Sequence, residues 1–136
     1  MRSDVPAASD LEIELDAEGR GSGLRGGVLA TFDVTGQRFR VWVTNPRTVR
    51  QILDLWAGTS NATIPNGRVQ RGRGRGSHNA PWHWHLSPRD IEMAENAVEV
   101  CDASPSYVEA NRDEWIAQVG HYCPWDARLI NVKDQR

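Results

Sequence analysis

Apolar and polar residues alternate along two early stretches of the chain. Val28-Leu29-Ala30-Thr31-Phe32-Asp33-Val34 is rich in β-formers, and Gln37-Arg38-Phe39-Arg40-Val41-Trp42-Val43 sets Phe39, Val41 and Val43 on one face. With Thr35-Gly36 between them, the two stretches predict a hairpin. The period then changes. Val49, Ile52, Leu53 and Trp56 fall at i, i+3, i+4 and i+7, the spacing of one helix face. Asn45 is placed to cap that helix, Pro46 suits its first position, and Gly58 its stop. Ala62-Thr63-Ile64 opens another extended piece, and residues 82–86 predict a strand that Ser87-Pro88-Arg89-Asp90 turns back. Residues 91–101 carry two signals. Helix formers dominate their first half, but Val98 and Val100 alternate with Ala97, Glu99 and Cys101, and the alternation predicts a strand over 93–100. A second helix is capped by Ser104 with Pro105 in its first turn. It carries Val108, Trp115, Ile116 and Val119 on one face and stops at Gly120. Residues 127–132 form the last predicted strand. The sum is an α+β architecture: an antiparallel sheet with two helices packed on one face.

Charge divides the chain. Residues 1–19 hold six acids against Arg2, a net −5, so the remainder carries +3 of the total −2. Five glycines follow in 19–27. We therefore divide the chain into an acidic arm and Gly-rich linker, 1–26, and a single binding domain, 27–136. Leu11-Glu12-Ile13-Glu14-Leu15 alternates as an edge strand would, while the composition around it is that of a disordered tail. No apolar run approaches the roughly 20 residues of a membrane span. A slightly negative net charge disfavours a dedicated nucleic-acid binder.

Candidate chemistry concentrates in one stretch. Arg71-Gly72-Arg73-Gly74-Arg75-Gly76 predicts an exposed loop, and the dense Trp-His run from Trp82 anchors one end of it, with Trp82 as the buried anchor. Arg and Trp are the residues most enriched at binding hot spots. The candidate binding residues are therefore Arg71, Arg73, Arg75, His78, Asn79, Trp82 and Trp84. Arg-Gly repeats also contact RNA, but usually in long disordered tracts with interspersed aromatics, and this run is short and internal. His83 and His85 share a face if 82–86 is a strand, as metal ligands do. A third ligand would have to come from His78, His121 or a carboxylate, so they are weak candidates and no metal is expected. Ser77, His85, Asp90 and Asp102 show no spacing that marks a catalytic set. Cys101 and Cys123 allow either one disulfide or two buried thiols.

Taken together, the segments from Asn79 to Pro88, Val98-Glu99-Val100-Cys101-Asp102 and Tyr122-Cys123-Pro124-Trp125 resemble a family of small domains. That family is typified by the N-terminal domain of a slime-mould calmodulin-binding protein, with relatives among short, secreted bacterial proteins. Its Pro-Trp-x-x-His-Leu-Asp-Pro pattern falls on Pro81, Trp82, His85, Leu86 and Pro88, with Ser87 standing in the Asp position. The resemblance spans about residues 28–132. It implies a non-enzymatic binding domain without a cofactor, a Cys101–Cys123 disulfide, and export with a leader already removed. Calmodulin targets are usually basic amphipathic helices, and neither predicted helix is basic enough.

The leading reading is a secreted protein-binding domain that inhibits a trypsin-like serine protease. One exposed arginine of the loop would enter the protease's carboxylate-bearing specificity pocket, and a stiff scaffold would limit the entropy lost on binding. The alternatives are a carbohydrate- or polyanion-binding module using Trp82, Trp84 and the arginines, and a metal-dependent enzyme built on His83 and His85.

Overall fold

The computed structural model describes residues 23–136, so the expectations for the acidic arm lie outside the described residues. The architecture is α+β with antiparallel pairing throughout, as the pattern predicts. The strands form two sheets rather than one. In the first, β1 (Val28–Val34) lies between β2 (Gln37–Val43) and β7 (Ala127–Asp134). In the second, β3 (Ile64–Arg71) lies between β4 (Trp84–Leu86) and β5 (Glu92–Ala94), and also pairs with β6 (His121–Tyr122). A two-residue period says which face is apolar, not which strand lies alongside, so pairing into two sheets leaves no local trace.

The β1–β2 hairpin turns on Thr35 and Gly36, at φ 47° and 95°. Positive φ at both central residues gives a turn whose twist matches that of the strands. β1 is buried on both faces. Val28, Ala30, Phe32 and Val34 enter the core shared by the two sheets, whereas Leu29 meets Trp42 and Leu24 in a small second cluster. β3 contributes Ile64 and Val69 to the shared core, β4 Trp84 and Leu86, β5 Met93 and β6 Tyr122. At Gly67 on β3, an added Cβ would sit 3.0 Å from Ile91 and 3.2 Å from Leu86, tighter than ordinary packing.

Helix α1 (Pro46–Trp56) starts as its sequence predicts: the Asn45 side chain accepts from the backbone N–H of Arg47 at 2.9 Å, and Pro46 opens the helix. Thr48, Val49 and Ile52 are its buried residues. Trp56, expected on the buried face, is 51% exposed at the last turn. Gln51 reaches β5 and behaves as a strand neighbour. Its amide oxygen accepts from the Met93 N–H at 3.0 Å, and its amide nitrogen donates to the Met93 carbonyl.

The strand expected over 93–100 is corrected. Pairing with β3 ends at Ala94, and Glu99–Cys101 form a 3₁₀ turn. Cys101 is disulfide-bonded to Cys123, with Cα atoms 5.1 Å apart, and the Cys123 N–H donates to the Cys101 carbonyl. Bending the chain toward Cys123 leaves Val98 and Val100 outside the core, so their alternation marks no strand. Cross-linking over 22 residues stabilises by roughly 3 kcal/mol in the chain-entropy view.

The second predicted helix is broken. Ser104 caps α2 (Pro105–Ala110), Asn111 leaves helical geometry, and α3 (Arg112–Glu114) runs into a wide π turn, Trp115–Val119, closed by Gly120. The Asn111 side chain donates to the Tyr107 carbonyl and ends α2 there. Val108 and Trp115 are still buried as the periodicity requires.

Candidate functional site

The Arg-Gly segment leaves the end of β3 and returns at the start of β4. Its base is closed by the Gly72 N–H donating to the His83 carbonyl at 2.9 Å. Inside it, a 3₁₀ turn, Arg75–Ser77, is followed by further turns: the Asn79 N–H donates to Arg73 O, Ala80 N–H to Ser77 O, and Trp82 N–H to Asn79 O. The loop expected to be loose is knitted by its own backbone. Gly74 permits this at φ 84°, where a Cβ would lie 2.3 Å from the His78 ring.

Two side chains fasten the loop to the body. Asn79 is 1% exposed. Its amide oxygen accepts from the Arg40 N–H of β2 at 2.8 Å, and its amide nitrogen donates to the Trp84 carbonyl of β4 at 2.7 Å. β2 and β4 belong to different sheets, so this one amide stitches the sheets together beneath the loop. The Trp82 indole N–H donates to the Arg38 carbonyl of β2 at 2.7 Å.

The sequence places His78 and Asn79 among exposed contact residues, and both lie inside instead. His78 Nδ1 is 2.9 Å from the Arg75 carbonyl, its Nε2 has no partner, and its ring stands edge-on to His85 at 5.8 Å. Burial drives its pKa from 6.5 down to about 4. The bond to Arg75 O opposes this, and the charges of His85 and Arg40 reinforce it. The neutral ring therefore belongs to the folded state. Below pH 6.5 the unfolded chain takes up a proton that the folded one refuses, so stability falls until the pH reaches the folded value. Between those limits the loss is about 3 kcal/mol, at about 1.4 kcal/mol per pH unit. An NMR titration of the four histidines should find His78 protonating last, near pH 4. A midpoint at 6 or above would show the ring to be solvated.

The expected anchor is also corrected. Trp84 is fully buried, whereas Trp82 is only partly so. Trp84 is therefore no exposed contact residue, and β4 begins at Trp84 instead of at 82.

The three loop arginines differ in their surroundings. Arg71 Nη2 donates to Asp113 Oδ1 at 2.8 Å, and that bond holds the Asp113 carboxyl below its usual range. Arg73 Nη2 lies 3.3 Å from His83 Nε2. His83 in turn gives its backbone N–H and its Nδ1 to Glu109, at 2.8 and 2.7 Å, and Arg112 donates to the same carboxylate at 2.6 Å. Burial works against the Glu109 charge, but the bonds from His83 and the charge of Arg112 outweigh it and lower its pKa. Arg75 is exposed at the start of the turn and has no side-chain partner among the described residues. Glu109, Arg112 and Asp113 escape sequence reading because they join the loop across 26 and more residues with no local motif.

His83 and His85 are not gathered with a third donor. Among the described residues no group of three or more His, Cys, Asp or Glu stands together as a metal cluster. His83 faces a guanidinium at Nε2, and His85 Nδ1 lies 2.9 Å from the Gly72 carbonyl. No described helix is long and apolar enough to cross a membrane.

Among known protein families, the one described as the N-terminal domain of a calmodulin-binding protein matches residues 27–136. No curated protein and no solved structure matches the chain.

Proposed function

The chain belongs to this family of calmodulin-binding-protein N-terminal domains, and on that premise we propose that it is a non-enzymatic protein-binding domain acting through Arg75. The partner is a protein with a carboxylate at the bottom of a narrow pocket, foremost a trypsin-like serine protease. The observation that carries this reading is the contrast among the arginines. Arg71 and Arg73 are engaged by Asp113 and His83, while Arg75 projects without a side-chain partner among the described residues. The pinned loop beneath it is already ordered, so little entropy is lost when it docks. The Cys101–Cys123 disulfide is consistent with an oxidising compartment, and the proposal includes export.

The loop fits a blocking role better than a cleavable one. Arg75 opens a tight turn and Gly76 follows at φ 62°, so the Arg75–Gly76 peptide does not lie extended as protease substrates do. Polyanion binding is less well supported, because Glu109 and Asp113 already offset part of the local positive charge. Sugar stacking loses one of its two aromatic platforms with Trp84 in the core.

The test is competitive inhibition of trypsin, with chymotrypsin as the control that lacks the acidic pocket. Arg75→Ala should weaken inhibition by at least ~30-fold, the lower range for losing a charge seated in a partner's pocket. Arg71→Ala and Arg73→Ala should change it by no more than about threefold. Parent protein that leaves trypsin uninhibited, or equal losses at all three arginines, would remove the proposal.

A further inference from the structure

Few large apolar side chains among the described residues are strongly exposed, and three of them stand at one place away from the Arg75 loop. Val98 is 66% exposed, Val100 75% and Trp125 41%. They come from two segments that the disulfide fastens together. The Trp125 indole N–H donates to the Val98 carbonyl at 3.3 Å, and the Trp125 backbone N–H donates to Asp102 Oδ1 at 2.9 Å. These exposed side chains therefore stand on a fixed framework, and holding them outward serves no packing purpose. The charge around them has one sign. Glu95, Glu99, Asp102 and Asp126 are all exposed within the same two segments. No Lys, Arg or His occurs anywhere between Arg89 and Arg112.

We propose that Val98, Val100 and Trp125, with their acidic surround, form a second docking surface, for a peptide segment that presents an apolar side chain flanked by Arg or Lys. The apolar trio supplies contact area, and the four carboxylates select the sign of the flanking charge. A neutral apolar partner would gain nothing from that rim, and an acidic one would be repelled by it. This surface is independent of the Arg75 proposal, since it shares no residue with the loop.

The probe is acetyl-Arg-Leu-Leu-Arg-Leu-Arg-amide, titrated into the intact ¹⁵N-labelled protein. Two controls accompany it: one with every Arg replaced by Glu, one with every Leu replaced by Ser. The basic apolar peptide should move the Trp125 indole resonance and the amides of residues 98–101 saturably. The acidic peptide should leave them unmoved, and the basic polar peptide should bind at least about tenfold more weakly. Val100→Ser should weaken binding about fivefold or more, and Glu95→Gln with Glu99→Gln should weaken it by a similar factor at low salt. All three substitutions are at exposed positions, and an unchanged spectrum elsewhere shows the fold intact. The proposal is overturned if these resonances stay still, if the acidic or the polar peptide binds equally well, or if Val100→Ser binds like the parent. It is also overturned if the resonances shift with protein concentration alone, which would make a second copy of the chain the occupant.

Discussion

Replacing Trp84 with alanine is expected to destabilise the domain by about 3–5 kcal/mol, the range for deleting a large aromatic from a packed core. Trp84 is wholly buried and stands where the two sheets share their interior. Its ring lies 5.8 Å from Phe39 of β2 and 5.2 Å from Tyr122 of β6, the second at 78° in an edge-to-face arrangement. Phe39 stacks on Phe32, and Tyr122 meets Trp115, so removing the Trp84 ring opens a cavity in a continuous aromatic chain. Trp82→Ala should cost less, about 1–2 kcal/mol, because Trp82 is only partly buried and loses one hydrogen bond to Arg38. Trp84→Phe is the informative intermediate. The Trp84 indole N–H has no hydrogen-bond partner in the protein, and a buried unpaired donor itself costs on the order of 1–3 kcal/mol. Phenylalanine removes that donor along with part of the ring, so the two effects oppose each other and the net cost should stay below about 2 kcal/mol. Urea unfolding of the three variants gives the order directly. A Trp82→Ala variant less stable than Trp84→Ala would show that the wrong tryptophan has been placed in the core.

The contrast between these two tryptophans illustrates what a sequence can and cannot specify. The β1–β2 hairpin and α1 are legible because their signals are local: a two-residue turn, an Asn cap followed by proline, a change of period from two to near four. In Trp82-His83-Trp84-His85 the alternation is equally clear, but both tryptophans share its parity. Where the strand begins decides which of them enters the core, and that is set by pairing of β4 with β3. Val98 and Val100 mislead for a related reason. Their alternation reads as a strand, yet the disulfide to Cys123 bends the chain away from β3 before they could pair. The glycines locate the candidate loop, but they do not reveal its stiffness. Composition records that Gly72, Gly74 and Gly76 can adopt positive φ, not that Asn79 and His78 hold them there. The partners that distinguish the arginines, Asp113 and His83 with Glu109, are brought in by folding over distances that no motif spans.

Asn79 is where fold and candidate site are most tightly joined, and Asn79→Ala should cost about 2–4 kcal/mol. The substitution removes the one amide that bonds both the Arg40 N–H and the Trp84 carbonyl, and each unmade bond in the interior costs on the order of 1–3 kcal/mol. Methyl-sized alanine cannot bring in a replacement, and the site is 1% exposed, so water reaches it only if the loop lifts. Lifting the loop is therefore the expected response. Amide exchange should accelerate across residues 72–83 while β1 and β7, which lie in the other sheet, remain protected. Asn79→Asp separates the two bonds. It keeps an acceptor for Arg40, loses the donor to Trp84, and buries a carboxylate, so it should be at least as damaging near neutral pH and should recover in part as acid protonates the group. The same variants connect stability with binding. At a temperature where Asn79→Ala is still folded, any activity that depends on a preordered Arg75 should weaken although Arg75 itself is untouched. Denaturant melts, exchange rates and inhibition measured on one preparation test these links together. An Asn79→Ala protein within about 0.5 kcal/mol of the parent, the scatter of an ordinary surface substitution, with its loop amides still protected, would show that the stitch between the sheets does not hold the loop.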